Sequence, residues 1–113
     1  MILGRVIGRA VSTRKDDKLI GTKLLLVEEV GPAGTGSGDV AVVADTIGAG
    51  PGDVVLVTQG SAARFTESTR ERPVDALVVG IVDTIRMEGT DTFTRDTGFA
   101  RARGGRRPTG ARR

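Results

Sequence analysis

The chain has no cysteine, no histidine, no tryptophan and no tyrosine, and its only aromatics are Phe65, Phe93 and Phe99. Without cysteine there are no disulfides and no thiolate metal sites. Without histidine it loses the commonest metal ligand and the usual general base at neutral pH. With so few aromatic rings there is little from which to build a base-stacking platform. No apolar run reaches the roughly 20 residues that a membrane-spanning helix needs. The opening Met1-Ile2-Leu3-Gly4-Arg5 lacks the basic region and long apolar segment of a secretory signal. These absences predict a soluble, cytosolic protein with no cofactor, no metal and no membrane partner.

What is present is glycine, short apolar runs and a lopsided charge. The 113 residues suit one compact domain. Net charge is +3, yet residues 101–113 carry six arginines and no acid. Setting those six aside from the 17 basic and 14 acidic residues leaves the rest of the chain at −3. The high isoelectric point therefore belongs to a basic C-terminal tail on a mildly acidic body.

The body reads as strands separated by glycine turns. Residues 2–12 are rich in β-branched side chains and interrupted by Gly4 and Gly8, which suits a bent strand. A charged connection at 14–18 leads to a second strand over 19–28. The stretch from Gly31 to Gly38 has so many glycines that it predicts a mobile loop. A third strand is expected at 40–46 and a fourth at 53–58, joined by Gly48-Ala49-Gly50-Pro51-Gly52, where turn positions with φ > 0 require glycine. One helical turn is expected over 60–65 and a polar loop over 66–72. Residues 74–86 fit a helical stripe (Val74, Leu77, Val78, Ile81, Val82, Ile85), but their valine and isoleucine content and Gly80 favour a turn at 73–76 and a strand over 77–86. The fold expected is all-β: a small five-stranded OB-like β-barrel with one short helical segment. Residues 1–95 form the barrel domain, and 96–113 an Arg/Gly-rich disordered basic tail.

Each candidate for chemistry has a plainer explanation. The Gly48–Gly52 turn could cradle a phosphate, but no Lys-Ser/Thr pair follows it and a strand rather than a helix comes next. A tight turn permitting close backbone approach explains it better. Asp45, Asp53, Asp75 and Asp83 sit at strand ends or turns, where carboxylates cap free backbone N–H groups. Asp83, within an apolar run, could face an interface and pair with Arg64. Ser61 has no histidine to activate it and lacks the second glycine of a nucleophile elbow. The arginine tail could bind nucleic acid electrostatically, and a monomeric or dimeric nucleic-acid-binding OB-fold is the alternative reading. The acidic body without stacking aromatics disfavours it.

Five blocks, in order, resemble the pentameric vertex proteins of bacterial microcompartment shells, the CcmL/EutN family. They are Met1-Ile2-Leu3-Gly4-Arg5-Val6-Ile7-Gly8, the Ile20–Val27 segment IGTKLLLV, the Ala44–Val57 segment ADTIGAGPGDVVLV, Gly60-Ser61-Ala62-Ala63-Arg64, and residues 73–83. Ala62 stands where the family often has serine, Ala44 where it often has valine, and the extension after about residue 96 is outside the shared pattern. The resemblance implies an OB-like barrel assembling into a cyclic homopentamer. Its partners would be hexameric and pseudohexameric microcompartment shell proteins. The basic tail lies outside the resemblance, and its charge alone suggests either a solvated segment with weak anion affinity or a docking segment for encapsulated enzymes. Gly48, Ala49, Gly50, Gly52, Ser61, Ala62 and Arg64 are the expected subunit or shell contacts, with Lys23 and Asp83 as further candidates. No residue is assigned a catalytic role.

Overall fold

A computed structural model describes residues 1–11, 22–60 and 76–100 of the chain. Among them every element is a strand: β1 Ile2–Ala10, β2 Lys23–Val30, β3 Gly36–Asp45, β4 Val54–Gln59, β5 Ala76–Ile81, β6 Thr84–Met87, β7 Thr90–Thr94 and β8 Gly98–Phe99. The first five close a barrel in the order β1-β2-β3-β5-β4, and the last three form a separate sheet. The helical turn expected over 60–65 falls, from Ser61 onward, outside the described residues. So do the charged connection at 14–18, the loop at 66–72 and the arginine segment 101–113.

Side-chain alternation sends one face of each strand into the barrel. Val6, Leu25, Val27, Val43, Val55, Val57, Ala76 and Val78 meet there, and Ala49 joins them from a turn. Nearly all are β-branched or small, which suits the interior of a narrow barrel. Where β3 and β5 meet, Ala44 and Leu77 pack together in a second, smaller cluster with Val79 against it.

The bend expected in the first strand is a β-bulge. Val6 pairs with Val27 and Gly8 with Leu26, so Ile7 is an extra residue without a partner on β2. Gly4 acts differently. It is buried, and a β-carbon there would collide with Cγ1 of Val27.

Two expectations are corrected. The glycine-rich stretch 31–38 is a hairpin, not a mobile loop, and Gly36–Gly38 already belong to β3. Gly31 N–H donates to the Thr35 carbonyl (2.9 Å) and Gly34 N–H to the Gly31 carbonyl (2.9 Å), while Glu28 accepts from Gly38 N–H (3.2 Å). The C-terminal sheet then holds the tip: Thr92 Oγ1 donates to the Pro32 carbonyl (2.7 Å), and Phe99 packs on the bare Cα of Gly34. Composition indicated flexibility, but contacts from about 60 residues away in sequence removed it.

The strand expected over 77–86 is the second correction, because it is two strands. β5 ends after Ile81, Val82 N–H makes a last bond to the Val54 carbonyl (2.8 Å), and the chain leaves the barrel through Asp83. β6 then pairs with β7 in the separate sheet. That sheet has few apolar residues, but Phe93 is buried and packs at a tilt of 49° against Phe99, with ring centroids 4.8 Å apart. Sheet structure continues to Phe99, past the boundary drawn at residue 95.

Met87 pairs with Thr90, so Glu88-Gly89 is a two-residue hairpin loop, and both residues have positive φ (50° and 80°). This loop favours Asn-Gly, because a glutamate Cβ is strained in that region. Glu88→Asn is expected to stabilise the hairpin by about 0.5–1 kcal/mol. Slower amide hydrogen exchange across β7 would show it; unchanged exchange would refute it.

Candidate assembly surface

The turn from Asp45 to Asp53 is the family-like block for which the structure gives most detail. β3 delivers Asp45 with its side chain fully buried. Its Oδ1 accepts from the N–H groups of Ile47 (2.9 Å) and Gly48 (3.1 Å), and its Oδ2 from Gly48 (3.2 Å) and Ala49 (2.8 Å). Lys23 Nζ lies 4.0 Å from Oδ2 and donates to the Ala49 carbonyl at 2.7 Å. One buried carboxylate therefore collects three consecutive N–H groups, with a half-exposed ammonium beside it.

The second half of the turn is equally self-contained. Gly50 N–H donates to Asp53 Oδ2 (2.8 Å) and Asp53 N–H to the Gly50 carbonyl (3.1 Å). Arg95 approaches Asp53 Oδ1 at 3.4 Å. Two bonds tie the turn to β1, from Gly52 N–H to the Val6 carbonyl and from Val6 N–H to the Asp53 carbonyl, both 2.9 Å. Gly48 and Gly52 take the left-handed φ expected of them (106° and 85°).

This geometry settles what the turn can do chemically. A glycine turn binds phosphate through free N–H groups. Here those of Gly48 and Ala49 are held by Asp45 and that of Gly50 by Asp53, so the anion in the cradle is the chain's own. Ala49 is 0 % exposed and its methyl lies in the barrel core, so its role within the chain is internal. Lys23 is likewise committed to the turn. What the turn presents outward is Thr46, Ile47, Gly48, Pro51 and Gly52. Asp83 is exposed between β5 and β6, where its carbonyl accepts from Arg95 N–H at 2.8 Å. Ser61, Ala62 and Arg64, and with them the Arg64–Asp83 pairing, lie outside the described residues.

Sequence reasoning did not single out the outer face of the barrel. Val40 (52 % exposed) and Val42 (51 %) project from β3, and Ile7 (49 %) from the β1 bulge. The register places Gly8 opposite Leu26 and Leu26 opposite Val42, one rung across three strands. The sequence signal was the lack of alternation in Val40-Ala41-Val42-Val43-Ala44, where both strand faces are apolar although the core needs only one. Among the described residues no group of three or more Asp and Glu side chains could hold a metal ion. No described helix is long and apolar enough to cross a membrane.

Fold and surface together define a closed five-stranded barrel protein with a self-satisfied turn and an outer face that leaves aliphatic side chains half in water. Residues 1–83 match the family described as ethanolamine utilisation protein EutN/carboxysome, and the chain belongs to it. It is 48% identical over 85 residues to the bacterial microcompartment shell vertex protein GrpN of Rhodospirillum rubrum, covering 75% of this chain and 96% of that one. It is 39% identical over 99 residues to the carboxysome shell vertex protein CcmL of Thermosynechococcus vestitus, covering 88% and 100%. Among solved structures, CcmL of Gloeobacter violaceus superposes with a TM-score of 0.81 at 38% identity, over 85% of this chain and 99% of that one. The pentameric microcompartment shell protein GrpN of Rhodospirillum rubrum superposes at 0.71 with 48% identity, over 77% and 99%.

Proposed function

We propose that this chain forms the pentameric vertices that close a bacterial microcompartment shell in the cytoplasm around encapsulated enzymes. The observation that carries the reading is the end-to-end correspondence with shell vertex proteins, one of them solved as a pentamer and matched over 99% of its length. The role is geometric. A sheet of hexagons is flat, and closing it into a polyhedron requires pentagons at the corners. A ring that closes after five copies needs heterologous contacts, one patch on each subunit meeting a different patch on the next. Such a tile needs stiff strands and firm turns, and the Asp45–Asp53 turn is firm because the N–H groups of Ile47, Gly48, Ala49, Gly50, Gly52 and Asp53 are all bonded within the chain.

On this reading the protein is a structural tile and not an enzyme. Its rim meets hexameric and pseudohexameric shell proteins, with the outward residues of the turn and the Ser61–Arg64 segment as contacts. The arginine segment 101–113 suits an acidic surface on an encapsulated enzyme, through charge complementarity.

Native mass spectrometry of the full chain and of a chain ending at residue 100 tests the reading. A species at five times the 11.8 kDa chain mass is expected, with the shortened chain giving a correspondingly lighter pentamer. Monomers of both, under conditions that preserve known rings, would overturn it.

A further inference from the structure

β3 is bordered on one side by β2, regularly from Val40 opposite Glu28 to Asp45 opposite Lys23, with one more pair, Gly36 and Val30, beyond an irregularity. On its other side it meets β5 at a single parallel position, Ala44 with Leu77. From Gly36 to Val43 that second side has no neighbouring strand among the described residues. In an antiparallel pair, alternate residues turn their N–H and C=O groups away from the partner, so between Val40 and Val43, where β3 pairs regularly with β2, such groups have no strand partner among the described residues. The Gly38 and Asp39 amides are already held, by Glu28 and Ser37. Between Asp39 and Asp45 it is also uncharged, free of proline and rich in valine, the profile of an edge that invites pairing. The half-exposed Val40 and Val42 stand on it, with Leu26 and the bulged Ile7 continuing the apolar strip.

We infer that this strip is the seam between neighbouring subunits, covered in the assembled ring by a second copy of the chain. The inference rests on the pentamer reading. A relative that corresponds over 99% of its length is pentameric, and a heterologous ring buries the same patch on every copy. Here the free strand edge and the exposed aliphatics coincide, the combination that subunit seams bury. The chain's own C-terminal segment does not suit the strip: residues 101–113 are Arg, Gly, Ala, Pro and Thr, with no aliphatic larger than alanine except proline. A flush seam also explains why Ile7 is bulged outward, since an inward Ile7 would leave the strip one side chain short.

The test compares the wild-type chain, the V40K/V42K double variant and a control, Met87→Lys, at an exposed apolar residue on β6. Each is examined by native mass spectrometry and analytical ultracentrifugation across a dilution series. The wild type and Met87→Lys are expected to be pentameric. V40K/V42K is expected to keep its far-UV circular dichroism while the protomer concentration for half-assembly rises roughly a hundredfold, as two buried lysines per seam would require. A V40K/V42K pentamer as stable as wild type overturns the seam and leaves the pentamer reading standing; a wild type that never forms pentamers removes both.

If the double variant does not fold, hydrogen exchange on the isolated wild-type pentamer decides. Protection of the β3 amides that face away from β2 supports the seam. Free exchange there overturns it. Protection that arises only after hexameric shell proteins are added also overturns it, because the strip would then meet the facets.

Discussion

Replacing Asp45 by alanine is expected to lower the unfolding free energy by about 3 kcal/mol, measured by urea denaturation at fixed protomer concentration. The carboxylate is fully buried and accepts from Ile47, Gly48 and Ala49. Alanine leaves all three donors without their acceptor. Ile47 and Gly48 are exposed and can turn to water, which limits the loss at each, but Ala49 is buried in the core and cannot. Unsatisfied buried donors cost about 1–3 kcal/mol each. Asparagine at the same position would keep one acceptor oxygen but turn an NH₂ group toward donors, so Asp45→Asn is expected to fall between alanine and wild type. An alanine variant within about 0.5 kcal/mol of wild type would show that the carboxylate does not organise the turn.

Gly4→Val is expected to abolish soluble expression, and Gly4→Ala to cost about 2 kcal/mol, the upper range for forcing one methyl into a packed core. Gly4 has no positive φ, so its backbone accepts any residue and the effect isolates packing. The new β-carbon would overlap Cγ1 of Val27, which is 2 % exposed, β-branched and therefore stiff about χ1. Neither strand can yield easily, because β1 is held between two neighbours at this point, Gly4 pairing with Glu29 on β2 and with Val55 on β4. Val27→Ala should open room for the methyl, so the Gly4→Ala/Val27→Ala double variant is expected to be less destabilised than the sum of the two single changes. A coupling of about 1 kcal/mol would confirm the contact, and strict additivity would refute it.

Gly4 and Gly8 show how far one sequence pattern can be read. Both interrupt the same strand, four residues apart, and both suggested a bend. Only the second lies at one, as the residue that resumes pairing after the bulged Ile7, while Gly4 makes room for Val27. Local sequence marks where a side chain is absent. Whether the space is used for a backbone distortion or for a neighbour depends on the strand lying opposite.

The aspartates of the turn were legible in kind. Asp45 and Asp53, at a strand end and strand start around glycines, read as caps for backbone N–H groups, and they are. Their reach was not legible. Asp45 takes up the N–H groups that an anion in the turn would need, and Ala49 lies in the core only because the turn folds over the barrel. Five barrel strands were read near their observed places, although the strand expected over 77–86 runs two elements together. Val82-Asp83-Thr84 has no glycine or proline to mark the break, which is made instead by the last rung to Val54.

By itself the sequence determined the composition of the core, the glycine turns, the absence of thiol and imidazole chemistry, and the family, because these depend on residue identity and short-range spacing. The tertiary structure alone decided that the Gly31–Gly38 stretch is held, that a second sheet runs to Phe99, and that, among the described residues, β3 has no strand beside it from Gly36 to Val43 on the side away from β2. Each of these depends on pairings between residues distant in sequence, such as Thr92 with Pro32 and Phe99 with Gly34. Such pairings are set by the closure of the barrel as a whole, and no window of neighbouring residues contains them.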